Sequence, residues 1–460
     1  MSRAVVLMGA GLVLFAASGV AQLPRAGAPL FRDAAAEAGI VFQRHDAAEK
    51  KYILESMGGG LALIDFDNDG KLDVYLTDSP SVETARDPKA ARSALFRNPG
   101  SGKFEDVTDR AGVGRPGWAM GACTADVDAD GWEDLYVTGF GSNRLYHNNR
   151  DGTFTDVAEQ AGLAGGGWST GCGLRRLRPG RPPRPVREPL PHAGPREAAR
   201  VRQGRRGDAG RGSRRDVPVP RGRRAVRASR LPGESDLLFR NDGSGHFTEV
   251  GEKAGVHDAR GYFGLGLAWF DWNGDGWPDL YVANDSYPNY LYENQRNGSF
   301  KEVAFALGVA VSEDGGEQGS MGVAVGDYDN SGRLGLFVTN FAEEYDALYH
   351  NEGDHFGDVS FASKTAAPGL PFVKWGTSFF DYDNDGFLDI VVANGHVYPQ
   401  VDQVPMARRP GTGSASCSTT TAATGRSTRW PLCPGPPGRS CAWHGAWPSA
   451  ISTTTADSTS

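Results

Sequence analysis

Five short loops repeat one pattern of oxygen-bearing side chains that could bind a metal ion. Asp, Asn or Ser stands at positions 1, 3 and 5, Gly at position 6, and in four loops an Asp follows at position 9. A hard cation such as calcium takes about six to eight oxygens, and alternate residues of a tight loop supply them. Glycine permits the sharp turn because it tolerates a positive φ. The loops are DFDNDGKLD (Asp65–Asp73), DVDADGWED (Asp126–Asp134), DWNGDGWPD (Asp271–Asp279), DYDNDGFLD (Asp381–Asp389) and the degraded DYDNSGRLG (Asp327–Gly335).

These loops define the candidate ligands of several calcium ions. Position 7 would offer only its backbone carbonyl, so its side chain is free to vary. The degraded loop has Ser331 at position 5 and Gly335 at position 9, and we predict that it binds calcium most weakly. The candidate metal ligands are Asp65, Asp67, Asp69, Asp73, Asp126, Asp128, Asp130, Asp134, Asp271, Asn273, Asp275, Asp279, Asp327, Asp329, Ser331, Asp381, Asp383, Asp385 and Asp389.

The residues around the loops distinguish them from EF-hands. An EF-hand needs a Glu at position 12 and a helix on each side. Position 12 is apolar here, and the flanking segments LDVYL, LYVTG, LYVAN and IVVAN alternate as strands do. We therefore predict calcium loops between strands. The alternative is that each is an ordinary acidic turn, since Asp, Asn and Gly are common in turns.

Each loop belongs to a longer repeat. A small-residue strand such as MGGGLALID or MGVAVGD precedes it, and a strand–turn–strand signature such as LYHNNRDGTFTDV follows it. Successive loops start at residues 65 and 126, and further along at 271, 327 and 381. A repeat of this length with about four strands is typical of one blade of a β-propeller. The sequence therefore predicts an all-β fold of antiparallel blades.

The motifs resemble FG-GAP/VCBS-repeat propellers of the type found in integrin α-subunit heads. They are more closely similar to bacterial relatives of cartilage acidic protein, which often end in an ASPIC/UnbV segment. The stretch KKYILESMGGGLALIDFDNDGKLDVYL resembles the opening blade of that group. The resemblance extends from Phe31 to about Gln403 apart from one gap, so we assign residues 31–406 to the propeller. The resemblance implies a propeller fold and bound calcium, but it does not identify a particular ligand.

The gap, residues 174–233, has an anomalous composition. It holds 19 Arg and four acidic residues, a net charge of +15, whereas the whole chain carries −8. Such an Arg/Pro/Gly-rich run would ordinarily indicate a disordered arm that binds nucleic acid or membrane. We reject that interpretation because an expected calcium loop is missing where the run begins.

A change of reading frame explains the missing loop. Codons can be chosen for LRRLRPGRPPRPV, residues 174–186, that give CDDYDPDGRLDL when read one base later. AWPSAISTTTADST, residues 446–459, can likewise be written so that a neighbouring frame gives GVAFGDLDNDGRLD. We predict that residues 174–233 and the tail, 407–460, are translated out of frame and disordered, and that the tail replaces a last blade. With these two recovered loops, the chain has seven calcium loops, which predicts a seven-bladed propeller.

The amino terminus has the pattern of an export signal. Arg3 precedes an apolar stretch, Ala4–Ala17, and small residues end it at Ala21. We predict a signal peptide at residues 1–21 and a secreted or periplasmic protein, where calcium is abundant enough to fill weak sites. The apolar stretch is short for a transmembrane anchor, and no stable membrane span is expected after cleavage.

Two cysteines, Cys123 and Cys172, lie in small-residue strands of the repeat. The favoured interpretation is that both are small buried residues of tightly packed strands. A disulfide between neighbouring blades is an alternative that the sequence leaves open.

No catalytic motif stands out in the sequence. There is no HExxH, nucleophile elbow, Walker loop or dinucleotide fingerprint. His147 and His350 occupy matched positions in LYHN repeats, which favours a role in the repeat over catalysis. We therefore predict a calcium-binding module for an extracellular glycan or protein, with no nucleic acid partner. The alternative is a calcium-dependent polysaccharide lyase or hydrolase on the same scaffold. Most Trp residues should pack, although Trp132, Trp272 and Trp277 could stack on sugars.

Overall fold

The structure is a computed structural model of the chain. It describes residues 31, 33–45, 52–87, 89–114, 116–165, 167–175, 197–203, 233–395, 397, 416–421 and 426–431, with only the backbone described in 197–203, 416–421 and 426–431. The chain divides into two compact units, Met1–Phe31 and Arg32–Ser460. All the strands and helices described below belong to the second unit.

The first three blades each have four antiparallel strands in chain order. Blades two and three are joined into one sheet where Phe140 pairs with Trp168. The first blade comprises β1 (Leu61–Ile64), β2 (Asp73–Leu76), β3 (Ala94–Arg97) and β4 (Glu105–Asp106). The second comprises β5 (Trp118–Ala125), β6 (Asp134–Phe140), β7 (Arg144–Asn148) and β8 (Phe154–Asp156). The third comprises β9 (Trp168–Arg175), β10 (Glu197–Gln203), β11 (Leu237–Asn241) and β12 (Phe247–Glu249).

The next three blades repeat the arrangement. The fourth comprises β13 (Phe263–Phe270), β14 (Asp279–Asp285), β15 (Tyr290–Asn294) and β16 (Phe300–Glu302). The fifth comprises β17 (Val323–Gly326), β18 (Gly335–Val338), β19 (Ala347–Asn351) and β20 (Phe356–Asp358). The sixth comprises β21 (Lys374–Phe380), β22 (Asp389–Asn394), β23 (Ser416–Thr421) and β24 (Arg426–Pro431).

Five one-turn helices accompany the strands: α1 (Ile53–Ser56), α2 (Thr108–Ala111), α3 (Gly251–Ala254), α4 (Ala304–Leu307) and α5 (Ala366–Gly369). Three of them, α2, α3 and α4, begin two residues after the last strand of a blade, in the segment after the LYHN-type signature. Each of these ends at a glycine in the left-handed conformation: Gly112, Gly255 and Gly308.

Glycines on the inner strands allow neighbouring blades to approach closely. A Cβ on Gly60 would lie 2.5 Å from the carbonyl oxygen of Met120 in the next blade, and one on Gly266 would lie 2.1 Å from that of Met321. Gly121, Gly171 and Gly322 face the next blade in the same way. Each of these five glycines lies five residues before the first residue of an acidic loop, counting the loop predicted near residue 176. The repeat therefore places a glycine wherever neighbouring blades pack closely.

Threonine side chains strengthen the same contacts. The hydroxyl of Thr77 donates to the carbonyl oxygen of Met120 at 3.0 Å, and that of Thr339 donates to the carbonyl oxygen of Trp375 at 2.6 Å. Thr138 makes the equivalent bond to Thr170 at 2.5 Å. The inner strands enclose a cavity of about 30 Å³ whose lining includes Met57, Met120, Thr170, Leu265, Met321 and Trp375.

Cys123 and Cys172 form a disulfide. Cys123 lies on β5 and Cys172 on β9, so the bond joins the inner strands of blades two and three. The sequence favoured two separate buried residues and left this pairing open. The close approach of the inner strands brings the two positions together.

The all-β propeller with antiparallel four-stranded blades is confirmed. The seventh blade, the export signal and most of the two anomalous stretches fall outside the described residues, so those predictions stay open. Three strands, β10, β23 and β24, have their backbone described inside stretches that we predicted to be disordered. Among the described residues, no helix has both the length and the apolar character needed to cross a bilayer.

Candidate metal centres

The acidic loops occupy the same place in five blades. Each joins the first strand to the second, and its ends are fixed by antiparallel pairing, as in Ile64 with Asp73 and Phe270 with Asp279. The residue at position 9 is therefore the first residue of the second strand. Because the five hairpins have the same direction in their blades, the loops share one end of the strands.

The aspartate at position 1 shapes each loop. Asp65 accepts the backbone N–H groups of Asp69 and Gly70, both at 3.0 Å. The position-1 residues Asp126, Asp271, Asp327 and Asp381 accept the N–H groups of positions 5 and 6 in the same way. One carboxylate thus closes the turn in the complete loops and in the degraded one.

Two residues of each loop have a positive φ. The glycine at position 6 has φ between 81° and 91°, as the sequence predicted. Position 4 is also left-handed, at 58° for Asn68 and 54° for Asn384. Asn and Gly tolerate that conformation, which explains their use at position 4 in four of the five loops.

Carboxylates converge in three of the complete loops. Potential ligand atoms lie within 4.8 Å of one another in three sets drawn from single loops, and in a fourth that adds a histidine. One oxygen of Asp67 and one of Asp383, both at position 3, are buried and have no hydrogen-bond partner among the residues that the structure describes. Such oxygens fit a hard cation, which would replace the missing bond. The sets are Asp65, Asp67 and Asp73; Asp126, Asp128 and Asp130; Asp381, Asp383 and Asp385; and Asp128, Asp134 and His147.

The remaining predicted ligands form smaller groups. In the fourth blade Asn273 replaces an acid at position 3, so this loop has fewer carboxylates than the other complete loops. In the fifth blade Asp327 and Asp329 are the only loop acids. Ser331 accepts the N–H group of Arg333 there, in the place where the other loops have an aspartate.

The aspartate at position 9 is the most buried acid of each complete loop. Asp73 is fully buried and accepts the N–H groups of Phe66 at 3.2 Å and Asn98 at 2.7 Å. Burial is the main cause that raises the pKa of Asp73 and of Asp134 to about 6, and that of Asp279 to about 7. A divalent cation beside these groups would stabilise their charged form.

The fifth loop has neither an acid at position 9 nor the room for one. A Cβ on Gly335 would lie 2.6 Å from the ring of Tyr328, which occupies position 2 of the loop. The hydroxyl of Tyr328 lies 3.2 Å from Nδ1 of His350. An aromatic ring thus fills the side of the loop where a complete loop has its buried carboxylate.

In blades one, two, four and five the third strand also contacts the loop, and the sequence analysis did not predict this contact. The contacting residue comes directly before the Asn of the LYHN-type signature. Arg97 lies 2.5 Å from Asp67, and Nδ1 of His350 lies 3.2 Å from Asp329. Nδ1 of His147 lies 3.7 Å from Asp128 and 3.1 Å from Asp134. The alignment of the repeats was the only signal that could have revealed this position.

An arginine from the outer turn contacts the aspartate at position 5 in two blades. Arg150 lies 2.7 Å from Asp130, and Arg296 lies 2.7 Å from Asp275. In the first blade, Arg97 and Lys71 contact Asp69 instead, at 3.3 and 2.8 Å. These cations reduce the charge of the loops from their outer side.

A family model described as an FG-GAP-like repeat matches residues 65–137, 126–174, 228–282 and 271–338. The chain contains FG-GAP-like repeats. Three of the matches begin at the first aspartate of an acidic loop, at residues 65, 126 and 271. An FG-GAP match therefore runs from one loop into the strands of the following blade.

Curated relatives extend this similarity. Cartilage acidic protein 1 of Homo sapiens is 28% identical over 176 residues, which is 36% of this chain and 25% of the human protein. The Xenopus tropicalis protein of the same name is 25% identical over 178 residues, which is 36% of this chain and 26% of that protein. The aligned part of this chain spans about a quarter of the length of these relatives. The resemblance to cartilage acidic protein is confirmed.

A solved structure with some likeness is that of an Agrocybe aegerita lectin, described as recognising non-reducing terminal N-acetylglucosamine. It is 17% identical, covers 65% of each chain and gives a TM-score of 0.35. A likeness of this degree carries no argument about the ligand of the FG-GAP chain.

Proposed function

We propose that this protein is a secreted, calcium-binding propeller that acts as a binding or adhesion module for a glycan or a protein. The convergence of carboxylate oxygens in repeated loops is the observation that carries the proposal. Two of those oxygens, on Asp67 and Asp383, are buried without a hydrogen-bond partner in the described part of the chain. Carboxylate-rich loops of this shape suit calcium, which prefers oxygen ligands.

The nineteen residues named from the sequence are the proposed calcium ligands. The oxygens at positions 1, 3, 5 and 9 would hold the ion together with the carbonyl at position 7. Bound calcium supplies positive charge to loops that otherwise hold several carboxylates in close contact. It would stabilise the native state by mass action, because the unfolded chain lacks the assembled site.

The loops that calcium stiffens would form the ligand-binding face. Trp132, Trp277 and Phe387 stand at position 7 of three loops, and Phe387 is 40% exposed. Partly exposed aromatic rings on a rigid surface can stack on sugars or contact an apolar patch of a protein. Trp272, in contrast, packs against the core and contacts Phe356, with ring centroids 6.0 Å apart. We therefore place Trp132 and Trp277 in the ligand-binding face and leave Trp272 in the core.

Export to the periplasm or the extracellular space is part of the proposal. The pattern of residues 1–21 supports it, as does the need of weak sites for abundant calcium. The expected partners are extracellular glycans or proteins.

The enzyme alternative has no specific support in the described residues. The cavity between the inner strands is lined by Ser, Thr, Met, Leu, Trp and Gly residues. These side chains do not exchange protons near neutral pH, so this cavity gives no general acid or base.

Calcium titration and a binding screen test the proposal. We expect saturable calcium binding by calorimetry, and glycan or protein binding on an array that is lost with chelator. Trp132→Ala combined with Trp277→Ala should weaken ligand binding and leave calcium binding in place. Trp118→Ala is the matched control, because Trp118 lies at the other end of its strand. Absence of calcium binding at millimolar concentration would refute the proposal.

A further inference from the structure

In blades one, two, four and five, the residue directly before the Asn of the LYHN-type signature lies beside position 3 of the acidic loop. Arg97 faces Asp67 in the first blade, and His147 faces Asp128 in the second. In the fourth blade Nδ2 of Asn273 donates to Oε1 of Glu293 at 3.4 Å. We call Arg97, His147, Glu293 and His350 the facing residues.

In the first and fourth blades the charge of the facing residue complements the charge of the loop. The fourth loop is the one complete loop with a neutral residue, Asn273, at position 3, and its facing residue is the acid Glu293. The first loop has an aspartate at all four acidic positions, and its facing residue is the cation Arg97. A carboxylate missing from the loop is thus supplied by the neighbouring strand.

Glu293 is placed to reach a metal ion. It is half-buried on β15, next to a loop whose Asp271 and Asp275 are the proposed ligands. Among the described residues, its other oxygen accepts one side-chain hydrogen bond, from the exposed amide of Gln295 at 3.2 Å. A carboxylate with such weak partners can turn toward a cation at little cost.

Arg97 has the opposite effect on the first loop. Its guanidinium contacts Asp67 at 2.5 Å and Asp69 at 3.3 Å, which are positions 3 and 5 of that loop. Lys71 also contacts Asp69, at 2.8 Å. Positive charge already lies where calcium would bind, so a calcium ion must displace it or be repelled by it.

We infer that the facing residue sets the calcium affinity of each loop, with Glu293 as a ligand of the fourth site and Arg97 as an internal cation that weakens the first. This inference rests on the proposed calcium binding. The number of acidic residues in each loop would rank the first loop, with four, above the fourth loop, with three, in calcium affinity. The inference reverses this order, so that the fourth loop binds calcium more tightly than the first. Calcium sites of this class are tuned over several decades by the charge of their ligands.

Terbium luminescence tests the fourth site, because Trp277 lies inside that loop and can sensitise a bound ion. Trp132→Phe removes the tryptophan of the second loop and serves as the background. In the Trp132→Phe background, Glu293→Gln should raise by about tenfold the calcium concentration needed to displace terbium from the fourth site. Glu252→Gln, which removes the same charge from exposed α3, is the control and should change nothing.

The first site needs its own reporter. Leu72→Trp places a tryptophan at an exposed position of the first loop, in a background of Trp132→Phe and Trp277→Phe. Arg97→Gln should strengthen calcium binding there by about fivefold. Arg110→Gln, at the exposed end of α2, is the charge-matched control.

A melting curve recorded without calcium shows whether Glu293 acts as a calcium ligand or stabilises the fold by itself. Removing Glu293 by Gln substitution takes away one negative charge, so the metal-free protein should be as stable as before or more stable. A residue with a purely structural role would lower the melting temperature with and without calcium alike.

The possible outcomes separate the inference from the function. If the unaltered protein binds neither calcium nor terbium, the proposed function fails. If it binds both ions and Glu293→Gln leaves the fourth site unchanged, or Arg97→Gln weakens the first, the inference is overturned and calcium binding stands.

Discussion

The loops of the fourth and fifth blades have the same backbone but differ in the residues that would meet a metal ion. In both, the aspartate at position 1 accepts the N–H groups of positions 5 and 6. The fourth loop continues with a fully buried Asp279, whereas the fifth has Gly335 with the Tyr328 ring against it. The turn therefore survives the loss of the buried carboxylate at position 9, because the aspartate at position 1 closes it.

A second comparison concerns the residue that precedes the third strand. Ser93, Asn143, Asn289 and Asp346 each accept a backbone N–H from the end of the preceding strand. Asp236 holds the same place in the third blade. Its Oδ2 is buried and has no hydrogen-bond partner among the described residues. Burial and the neighbouring Asp258 raise its pKa well above the ordinary value.

The largest expected effect comes from the reading frame of residues 174–233 and 407–460. An in-frame third blade would restore an N–H partner to Asp236 and an acidic loop near residue 176. We predict that the nucleotide sequence encodes an acidic loop in a neighbouring frame at both places. A frame-restored protein should melt well above the present chain in differential scanning calorimetry. Nucleotide sequences without those loops would contradict the hypothesis.

Calcium removal should have the next largest effect. One site at 100 times its Kd contributes about 2.7 kcal/mol to the free energy of unfolding. Several sites together should therefore lower the melting temperature by about 5 °C or more when chelator is added. Magnesium at the same concentration is the control, because it prefers a stricter octahedral site. An unchanged melting temperature would identify the loops as ordinary turns.

Single-loop substitutions sharpen the comparison between complete and degraded loops. In calcium, Asp381→Ala should lower the melting temperature more than Asp327→Ala, because the complete loop loses a more tightly bound ion. Each variant loses the same two backbone hydrogen bonds. In chelator the two losses should therefore become equal, at about 1 kcal/mol per hydrogen bond. A difference that persists without calcium would show that the ion is not its cause.

Restoring the acid of the degraded loop should not restore the site. A side chain at Gly335 would meet the Tyr328 ring at 2.6 Å and the carbonyl oxygen of Tyr349 at 2.9 Å. We expect Gly335→Asp to destabilise the protein by about 1–3 kcal/mol in chemical denaturation. Adding Tyr328→Ala should recover part of that loss. Tighter calcium binding by the single variant would show that the ring is easily displaced.

The last expected effect is a pH dependence of the metal-free protein. The pKa values of Asp73, Asp134 and Asp279, at about 6 to 7, exceed the ordinary 3.8. Between pH 4 and 7 the folded protein therefore binds more protons than the unfolded chain, and it loses stability as pH rises. Calcium should offset the loss, since it favours the ionised carboxylates. Urea midpoints at pH 5 and pH 7.5, with and without calcium, measure both effects.

The repeats made much of this structure predictable. The glycine at loop position 6 turns the chain as predicted, and the flanking segments form strands, because hydrophobic alternation and turn residues act locally. The one-turn helices were missed. The segment VTDRAGV resembles the end of a strand, whereas its first residues turn into α2 and Gly112 stops it. Four residues are too few to give a helical period.

The sequence alone determined that the chain repeats strands around acidic loops, because these features depend on neighbours a few residues apart. The tertiary structure decided the rest. It paired Cys123 with Cys172, set Gly60 against Met120, placed Tyr328 beside Gly335 and brought Arg97 and Glu293 to their loops. Each of these contacts joins residues that are distant in the chain or that meet through side-chain packing. Only the closing of strands into blades, and of blades against one another, fixes those distances.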